Sequence, residues 1–129
     1  KGTPPPPPSD MSVHYKSTRG CMCQAVIRWQ RQSDKDHKVS QYSVLWGQSR
    51  PPPRDELSSA IVYYAEPYTV QVSGNENEAC MTYLESDKHY TAQIIAFVEK
   101  MKSRPAVLHF VTPASMPHCY GVGVRTEED

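Results

Sequence analysis

Apolar and polar residues alternate at every second position over most of the chain between residues 11 and 111. A period of two is typical of β-strands that bury one face, and the intervening segments rich in Gly, Asn, Asp, Ser or charge are typical of turns. The alternation predicts seven strands: Met11–Tyr15, Cys21–Trp29, Tyr42–Trp46, Tyr68–Val72, Cys80–Leu84, Tyr90–Ala96 and Val107–Val111. This number and spacing favour an all-β fold, an antiparallel sandwich.

Two segments are open to a second interpretation. Residues 57–66 are predicted to be either an early strand or an insertion, which Pro67 ends. The segment Gln93–Met101 has the composition of a short helix, but the alternation that begins at Tyr90 favours a strand.

The twelve prolines are concentrated in two runs, Pro4–Pro8 and Pro51–Pro53. Such runs form extended, stiff polyproline helices, although Pro-rich segments also serve as ligands of signalling domains. We therefore expect a Pro-rich linker at 1–8, one domain at 9–114 and a C-terminal linker or tail at 115–129. Because the chain begins with a residue other than Met, we also expect it to be a piece of a longer protein.

The charge balance excludes some classes of partner. Lys plus Arg and Asp plus Glu each number 14, so the formal net charge is zero. Nucleic-acid binders and polybasic membrane-surface modules normally carry a basic excess. No apolar run approaches the roughly 20 residues that span a bilayer, so we predict no membrane span in this segment and no nucleic-acid partner.

Several of these strands carry residues that resemble those of a fibronectin type III domain. The resemblance covers about residues 9–113 and implies an immunoglobulin-like sandwich of about seven strands. This sequence departs from the family pattern at Ser86, where the family usually has Pro, and in the segment 47–66, which is unusually long. The matching features are Trp29, Tyr42–Val44, the corner Leu84–Tyr90, the run Tyr90–Ala96 and the ending Phe110–Pro113.

The same positions predict a core. A two-sheet sandwich encloses a layer about 10 Å thick, which Trp29, Tyr42 and Leu84 are large enough to fill. Tyr90 is expected to pack inward while its hydroxyl bonds nearby backbone, as a tyrosine corner does.

The ending Ala106–Pro113, followed by Cys119, and the run Tyr90–Ile95 resemble a fibronectin repeat of the anosmin-like extracellular matrix proteins. That resemblance implies a role in neuronal migration and axon branching, through heparan sulfate and growth-factor receptor signalling.

Four cysteines allow three pairings, and the implied sandwich topology leaves two of them open. The second and fifth strands are neighbours, so Cys23–Cys80 with Cys21–Cys119 is one, and Cys21–Cys80 with Cys23–Cys119 is the other. A bridge from Cys21 to Cys23 suits disulfide geometry poorly. Disulfides imply an oxidising, extracellular setting, whereas zinc bound by Cys21, Cys23, His118 and Cys119 is only weakly indicated by this spacing, so no metal is predicted.

The sequence contains no nucleophile elbow, phosphate-binding Gly-rich loop or zinc-protease motif, so we expect neither catalysis nor a cofactor. Basic residues give the best candidate binding site. Lys100, Lys102 and Arg104, with Lys88 in another loop, are predicted to contact sulfated glycosaminoglycan, and Arg50 and Arg54 form a second basic spot.

These observations predict a non-catalytic adhesion or matrix-recognition module of a larger secreted or cell-surface protein, located outside the cell. Its expected partners are extracellular proteins or receptors, heparan sulfate and the neighbouring domains of its own chain. Two alternatives remain: a ligand-binding segment of a signalling-receptor ectodomain, and a structural spacer domain.

Overall fold

Two antiparallel sheets enclose one apolar core. The computed structural model describes residues 3–16, 23–31, 38–52 and 60–116, and none of these residues is helical. The strands are β1 (Ser9–Tyr15), β2 (Ala25–Gln30), β3 (Gln41–Gln48), β4 (Tyr68–Ser73), β5 (Glu78–Met81), β6 (His89–Val98), β7 (Met101–Lys102) and β8 (Ala106–Val111).

The strands divide between the sheets as a sandwich requires. One sheet has the order β1-β2-β5, and the other has the order β4-β3-β6, with β7 and β8 both paired to β6. This confirms the predicted all-β antiparallel sandwich. The structure has one strand more than the seven predicted. This additional strand is β7, which lies between the last two predicted strands, and its Met101 pairs with Val98 at the end of β6.

The core consists of the inward positions of both sheets. In β3 and β6 every second side chain is buried, and the two strands place Val44 opposite Ile94. The buried residues from the two sheets form one cluster, because each strand contributes its apolar face to the same layer. Its members are Ala25, Ile27, Trp29, Tyr42, Val44, Trp46, Ala79, Met81, Leu84, Tyr90, Ala92, Ile94, Ala96 and Met116.

Most strand boundaries differ from the prediction by one to three residues, and two of the differences share one cause. Cys23 and Gln24, expected to lie in the second strand, precede β2, which begins at Ala25, and β5 ends at Met81 rather than at Leu84. The reason is the buried side chain of Gln24. Its amide donates to the carbonyl of Leu84 and accepts from the Leu84 N–H, at 2.9 and 2.7 Å. A side chain thus replaces the backbone ladder beyond β5.

The two ambiguous segments are also resolved by the structure. Residues 93–98 belong to strand β6. Residues 60–66 contain no strand and form a single bridge, between Tyr63 and Ser49, beyond the end of β3. Tyr63 lies over Gly47, where a Cβ atom would stand 3.0 Å from the tyrosine ring, so a larger residue at position 47 would push Tyr63 outward by a few tenths of an ångström. Residues 57–59 lie outside the described ranges.

The ends of the described chain contact the sandwich. Pro5 and Pro8 are buried, at the spacing of three residues that places side chains on one ridge of a polyproline helix. Met116 is buried in the core, and its N–H donates to Ser86 Oγ at 3.1 Å. The domain boundaries at residues 8 and 114 stay a prediction. Pro5, Pro8 and Met116 lie outside the predicted domain 9–114 but are packed against the sandwich.

Candidate functional site

The four basic residues predicted to bind glycosaminoglycan lie at two ends of the sandwich. Lys88 precedes β6, whereas Lys100 and Lys102 follow the other end of this ten-residue strand. At about 3.3 Å per residue, β6 separates the two groups by about 30 Å. Exposed Arg50 lies at the same end as Lys88, because Ser49 N–H donates to the carbonyl of His89. Arg54 lies outside the described residues.

Lys100, Lys102 and Arg104 form what we call the basic turn. All three are exposed, and buried Ser103 separates the last two. Ser103 N–H donates to the carbonyl of Ala96 at 2.8 Å, and its hydroxyl accepts from the Ala96 N–H at 2.9 Å. The two-way bond to β6 holds the backbone while the basic side chains on either side remain in solvent.

The residues predicted for the core are all buried. Trp29 is 2% exposed and Tyr42 is fully buried, with their rings edge to face and the centroids 5.1 Å apart. Leu84 and Tyr90 are also buried. The Tyr90 hydroxyl accepts a hydrogen bond from Glu85 N–H at 2.7 Å, and burial raises the pKa of this phenol above its ordinary value of 10.0.

A disulfide joins Cys23 to Cys80, with their Cα atoms 5.5 Å apart. This confirms the Cys23–Cys80 bond of one of the two pairings left open and excludes the pairing that joins Cys80 to Cys21, whereas the predicted Cys21–Cys119 bond stays a prediction. Because the Cys23 sulfur is bonded to Cys80, it is not a thiolate that zinc can bind, and no metal-binding cluster occurs within the described ranges. Cys21, His118 and Cys119 lie outside these ranges.

Sequence reasoning missed a cleft at the end of the sandwich that also carries Lys88 and Arg50, away from the basic turn, which we call the tyrosine cleft. It has a volume of about 200 Å³ and opens between the segment before β4 and the segment after β5. Three aromatic rings, from Trp46, Tyr68 and Tyr83, lead from the core to its surface. Its lining residues are Gly47, Gln48, Tyr64, Ala65, Glu66, Tyr68, Tyr83, Glu85 and Tyr90.

These rings form a continuous series. Trp46 and Tyr68 have centroids 5.9 Å apart, and Tyr68 and Tyr83 are stacked at 4.7 Å with an angle of 17° between their planes. Trp46 is buried, Tyr68 is 44% exposed and Tyr83 is 68% exposed. The indole N–H of Trp46 donates to the carbonyl of Thr82 at 3.0 Å, so the buried ring also fixes the backbone beside Tyr83.

A bulge in the chain just before β4, made of residues that are not themselves in a strand, forms one wall of the cleft. Trp46 pairs with Tyr68, and Ser49 bridges to Tyr63. Between these two pairs the β3 side advances by three residues, whereas the other side advances by five. The two extra residues on the side before β4 bow out of the pairing, and Tyr64 and Glu66 of this segment lie at the opening.

The opposite wall, Tyr83–Glu85, is held by side chains from elsewhere in the fold. Gln24 binds both backbone groups of Leu84, and Thr112 Oγ1 donates to the carbonyl of Glu85 at 2.6 Å. Tyr83 has a φ of 61°, a left-handed conformation that is rare for a bulky residue. The surrounding bonds therefore hold the backbone next to this exposed ring, and the ring itself stacks on Tyr68.

One signal in the sequence points toward this surface. The chain has eight Tyr and two Phe, and tyrosine is favoured where a ring packs on one side and meets solvent or a partner on the other. The alternation alone could not locate the cleft, because the bulge and the side-chain bonds that create it do not follow a period of two.

No helix in the described part of the chain is long and apolar enough to cross a membrane. Two packed antiparallel sheets with a tyrosine corner define the class as an immunoglobulin-like β-sandwich protein.

Comparison with known proteins specifies the fold further. No family model and no curated protein matches the sequence, but solved structures do. The fn3 domain of the human collagen alpha-1(XX) chain is 13% identical with a TM-score of 0.62, covering 95% of this chain and 96% of that one. The fn3 domain of human contactin 1 is 17% identical with a TM-score of 0.58, covering 88% and 82%.

A further match is the chicken CNTN1 segment FN1–FN3, which is 20% identical with a TM-score of 0.60. The match covers 85% of this chain and 31% of that longer one. The chain therefore has the fibronectin type III fold.

Proposed function

We propose that this chain is a non-catalytic, extracellular module for adhesion or matrix recognition within a larger secreted or cell-surface protein. The observation that carries the proposal is the Cys23–Cys80 disulfide on a fibronectin type III sandwich. Cys80 is exposed on the surface of β5. A surface disulfide persists in oxidising compartments and is rare in the cytosol, where thiols are kept reduced.

Similarity to domains of contactin 1 and collagen XX supports the proposal. Both matched structures are single fn3 domains named as parts of those chains, which fits a module that has neighbouring domains. The proposed partners are extracellular proteins or receptors. The anosmin-like assignment, with its implied role in axon branching, stays a prediction from the residues of β6 and β8.

Disulfide formation gives the direct test. The domain is secreted from cultured cells, alkylated without reduction, digested and analysed by mass spectrometry. We expect a peptide in which Cys23 is linked to Cys80. Alkylation of both thiols in freshly secreted material would contradict the proposed extracellular setting.

Heparan sulfate is the proposed ligand of the basic turn. Lys100, Lys102 and Arg104 project from one short connection, and several cations close together attract a sulfated polymer in a manner that salt screens. Glu99 lies in the same turn and reduces the local charge, so we expect modest affinity. Lys88 is too far away to belong to the same site.

A heparin column tests this ligand. Replacing Lys100, Lys102 and Arg104 together with Gln is expected to lower the salt concentration at which the domain elutes. The matched control replaces Lys88 and Arg50, which lie at the other end of the sandwich, with Gln. Unchanged elution of the first variant, or an equal shift of the control, would contradict the assignment of heparin binding to the basic turn.

A further inference from the structure

The tyrosine cleft concentrates exposed apolar surface. Seven large apolar side chains are exposed among the described residues, and four of them, Val62, Tyr64, Tyr68 and Tyr83, lie at this edge. Tyr64 is 60% exposed although it lines the cleft. Such clusters commonly mark interaction sites, because an isolated soluble domain gains nothing by exposing them together.

The cleft also carries negative charge. Glu66 and Glu85 line it from opposite walls, and both are exposed. Neither carboxylate forms an ion pair with a Lys or Arg of the described residues. The salt bridge found among those residues joins Arg28 to Glu78. Aromatic faces beside unpaired carboxylates are complementary to a cation that has a flat or apolar surface.

The cleft is held ready for a ligand. The Tyr83–Glu85 wall receives bonds from Gln24 and Thr112, and Trp46 bonds to the carbonyl of Thr82 immediately before it. Tyr83 keeps a left-handed backbone, which is unfavourable for a residue with a Cβ atom. Strain that persists at an exposed ring indicates a use for that ring, since a glycine or asparagine would satisfy the backbone more easily.

We propose that the tyrosine cleft binds an arginine side chain presented by a partner protein. The inference rests on the proposed recognition role, but it uses a different part of the molecule from the basic turn. The guanidinium group stacks on the exposed rings of Tyr64 and Tyr83, and its N–H groups donate to the carboxylates of Glu66 and Glu85.

Arginine fits this chemistry better than lysine. The guanidinium is planar and weakly hydrated, so it stacks on an aromatic ring and donates two parallel hydrogen bonds to a carboxylate at the same time. An ammonium is a compact, strongly hydrated point charge that cannot do both. A volume of about 200 Å³ accommodates one such side chain rather than a folded segment.

The test is an NMR titration of the isolated domain with N-acetyl-arginine amide. N-acetyl-citrulline amide has the same shape without the charge, and N-acetyl-lysine amide has the charge without the plane. We expect saturable shifts of the Tyr64, Tyr68 and Tyr83 ring resonances with the arginine compound. The lysine and citrulline compounds are expected to bind at least about fivefold more weakly.

Variants assign the binding to the cleft. Tyr83→Asn removes the ring, while asparagine tolerates the left-handed backbone, and is expected to weaken binding about threefold to tenfold. Tyr64→Ala removes a ring without changing backbone strain and is expected to have a similar effect. Glu85→Gln should weaken binding about threefold, whereas the control Glu76→Gln, at the other end of the sandwich, should leave it unchanged.

Three results would overturn the inference: no saturable shift with the arginine compound, equal binding of the citrulline compound, or full affinity in both Tyr83→Asn and Tyr64→Ala. None of them depends on the heparin experiment. Loss of heparin binding in the basic-turn variant with intact arginine binding, or the reverse, separates the two surfaces.

Discussion

Two pairs of aromatic rings in this sandwich are put to opposite uses. Trp29 and Tyr42 meet edge to face inside the core, almost without solvent contact. Tyr68 and Tyr83 stack face to face at the edge of the sandwich, where Tyr68 is 44% and Tyr83 is 68% exposed. The first pair fills the space between the sheets, and the second presents an aromatic surface to solvent.

The two tryptophans repeat this contrast. The indole N–H of Trp29 has no hydrogen-bond partner among the described residues, so Trp29 contributes by packing alone. The indole N–H of Trp46 donates to Thr82 and so links the core to the wall that holds Tyr83. The comparison teaches that rings of similar size contribute to stability or to recognition according to what surrounds them.

Breaking the buried pair is expected to have the largest effect on stability. Trp29→Ala leaves a cavity between the sheets and is expected to lower the free energy of unfolding by about 3–5 kcal/mol. Urea denaturation measures the change. A loss under about 1 kcal/mol would show that the Trp29 site collapses or is less tightly packed than its burial indicates.

Removal of the disulfide comes next. Replacing Cys23 and Cys80 together with Ala is expected to cost about 2–4 kcal/mol, because the bridge closes a long loop whose ends are 57 positions apart in sequence. The same urea experiment, without reductant, provides the value. Unchanged stability would mean that the bridge has no constraining effect on the unfolded chain.

The amide clamp on the cleft wall should have a smaller, more local effect. Gln24→Ala leaves the buried backbone groups of Leu84 without partners, at an expected cost of about 1–3 kcal/mol. Amide hydrogen exchange should accelerate at Leu84. The matched control is Gln41→Ala, since the exposed Gln41 bonds only to another side chain, and its effect should stay within about 0.5 kcal/mol.

High pH gives the smallest effect. Burial raises the pKa of Tyr90 above 10.0, so the folded state holds this proton more tightly than the unfolded state does. The associated stability is fully present below pH 10 and is lost as the pH rises through the folded pKa. Unfolding free energies measured from pH 8 to 11 should therefore fall above pH 10.

Tyr90→Phe is the control for that titration. The substitution removes the hydroxyl and the hydrogen bond that it accepts from Glu85 N–H. The variant should therefore be less stable at pH 8 but should lose less stability above pH 10. An unchanged slope would assign the pH dependence to Tyr15 and Tyr63, whose pKa values are also raised by burial.

Much of the fold could be predicted from the sequence because it depends on a period of two. Trp29, Tyr42 and Tyr90 each lie in a strand where apolar and polar residues alternate, and the alternation correctly placed all three on the inward face. The limits of β2 and β5 could not be predicted in this way, since they depend on the side chain of Gln24 bonding to a residue 60 positions away.

The candidate sites were less predictable, for a similar reason. Neighbours in sequence stayed neighbours in space, so Lys100, Lys102 and Arg104 lie together, whereas Lys88 is separated from them by the length of β6. The tyrosine cleft combines a bulge before β4 with a segment after β5. Only the three-dimensional arrangement shows that Tyr64 and Tyr83 face the same opening.

The central claim is that the exposed pair serves recognition and the buried pair serves stability. Tyr83→Asn tests it most directly when its free energy of unfolding and its affinity for N-acetyl-arginine amide are measured on the same sample. We expect stability to change by less than about 1 kcal/mol, because relief of the backbone strain offsets the lost stacking, and affinity to fall about threefold to tenfold. A loss of several kcal/mol with unchanged affinity would contradict the account.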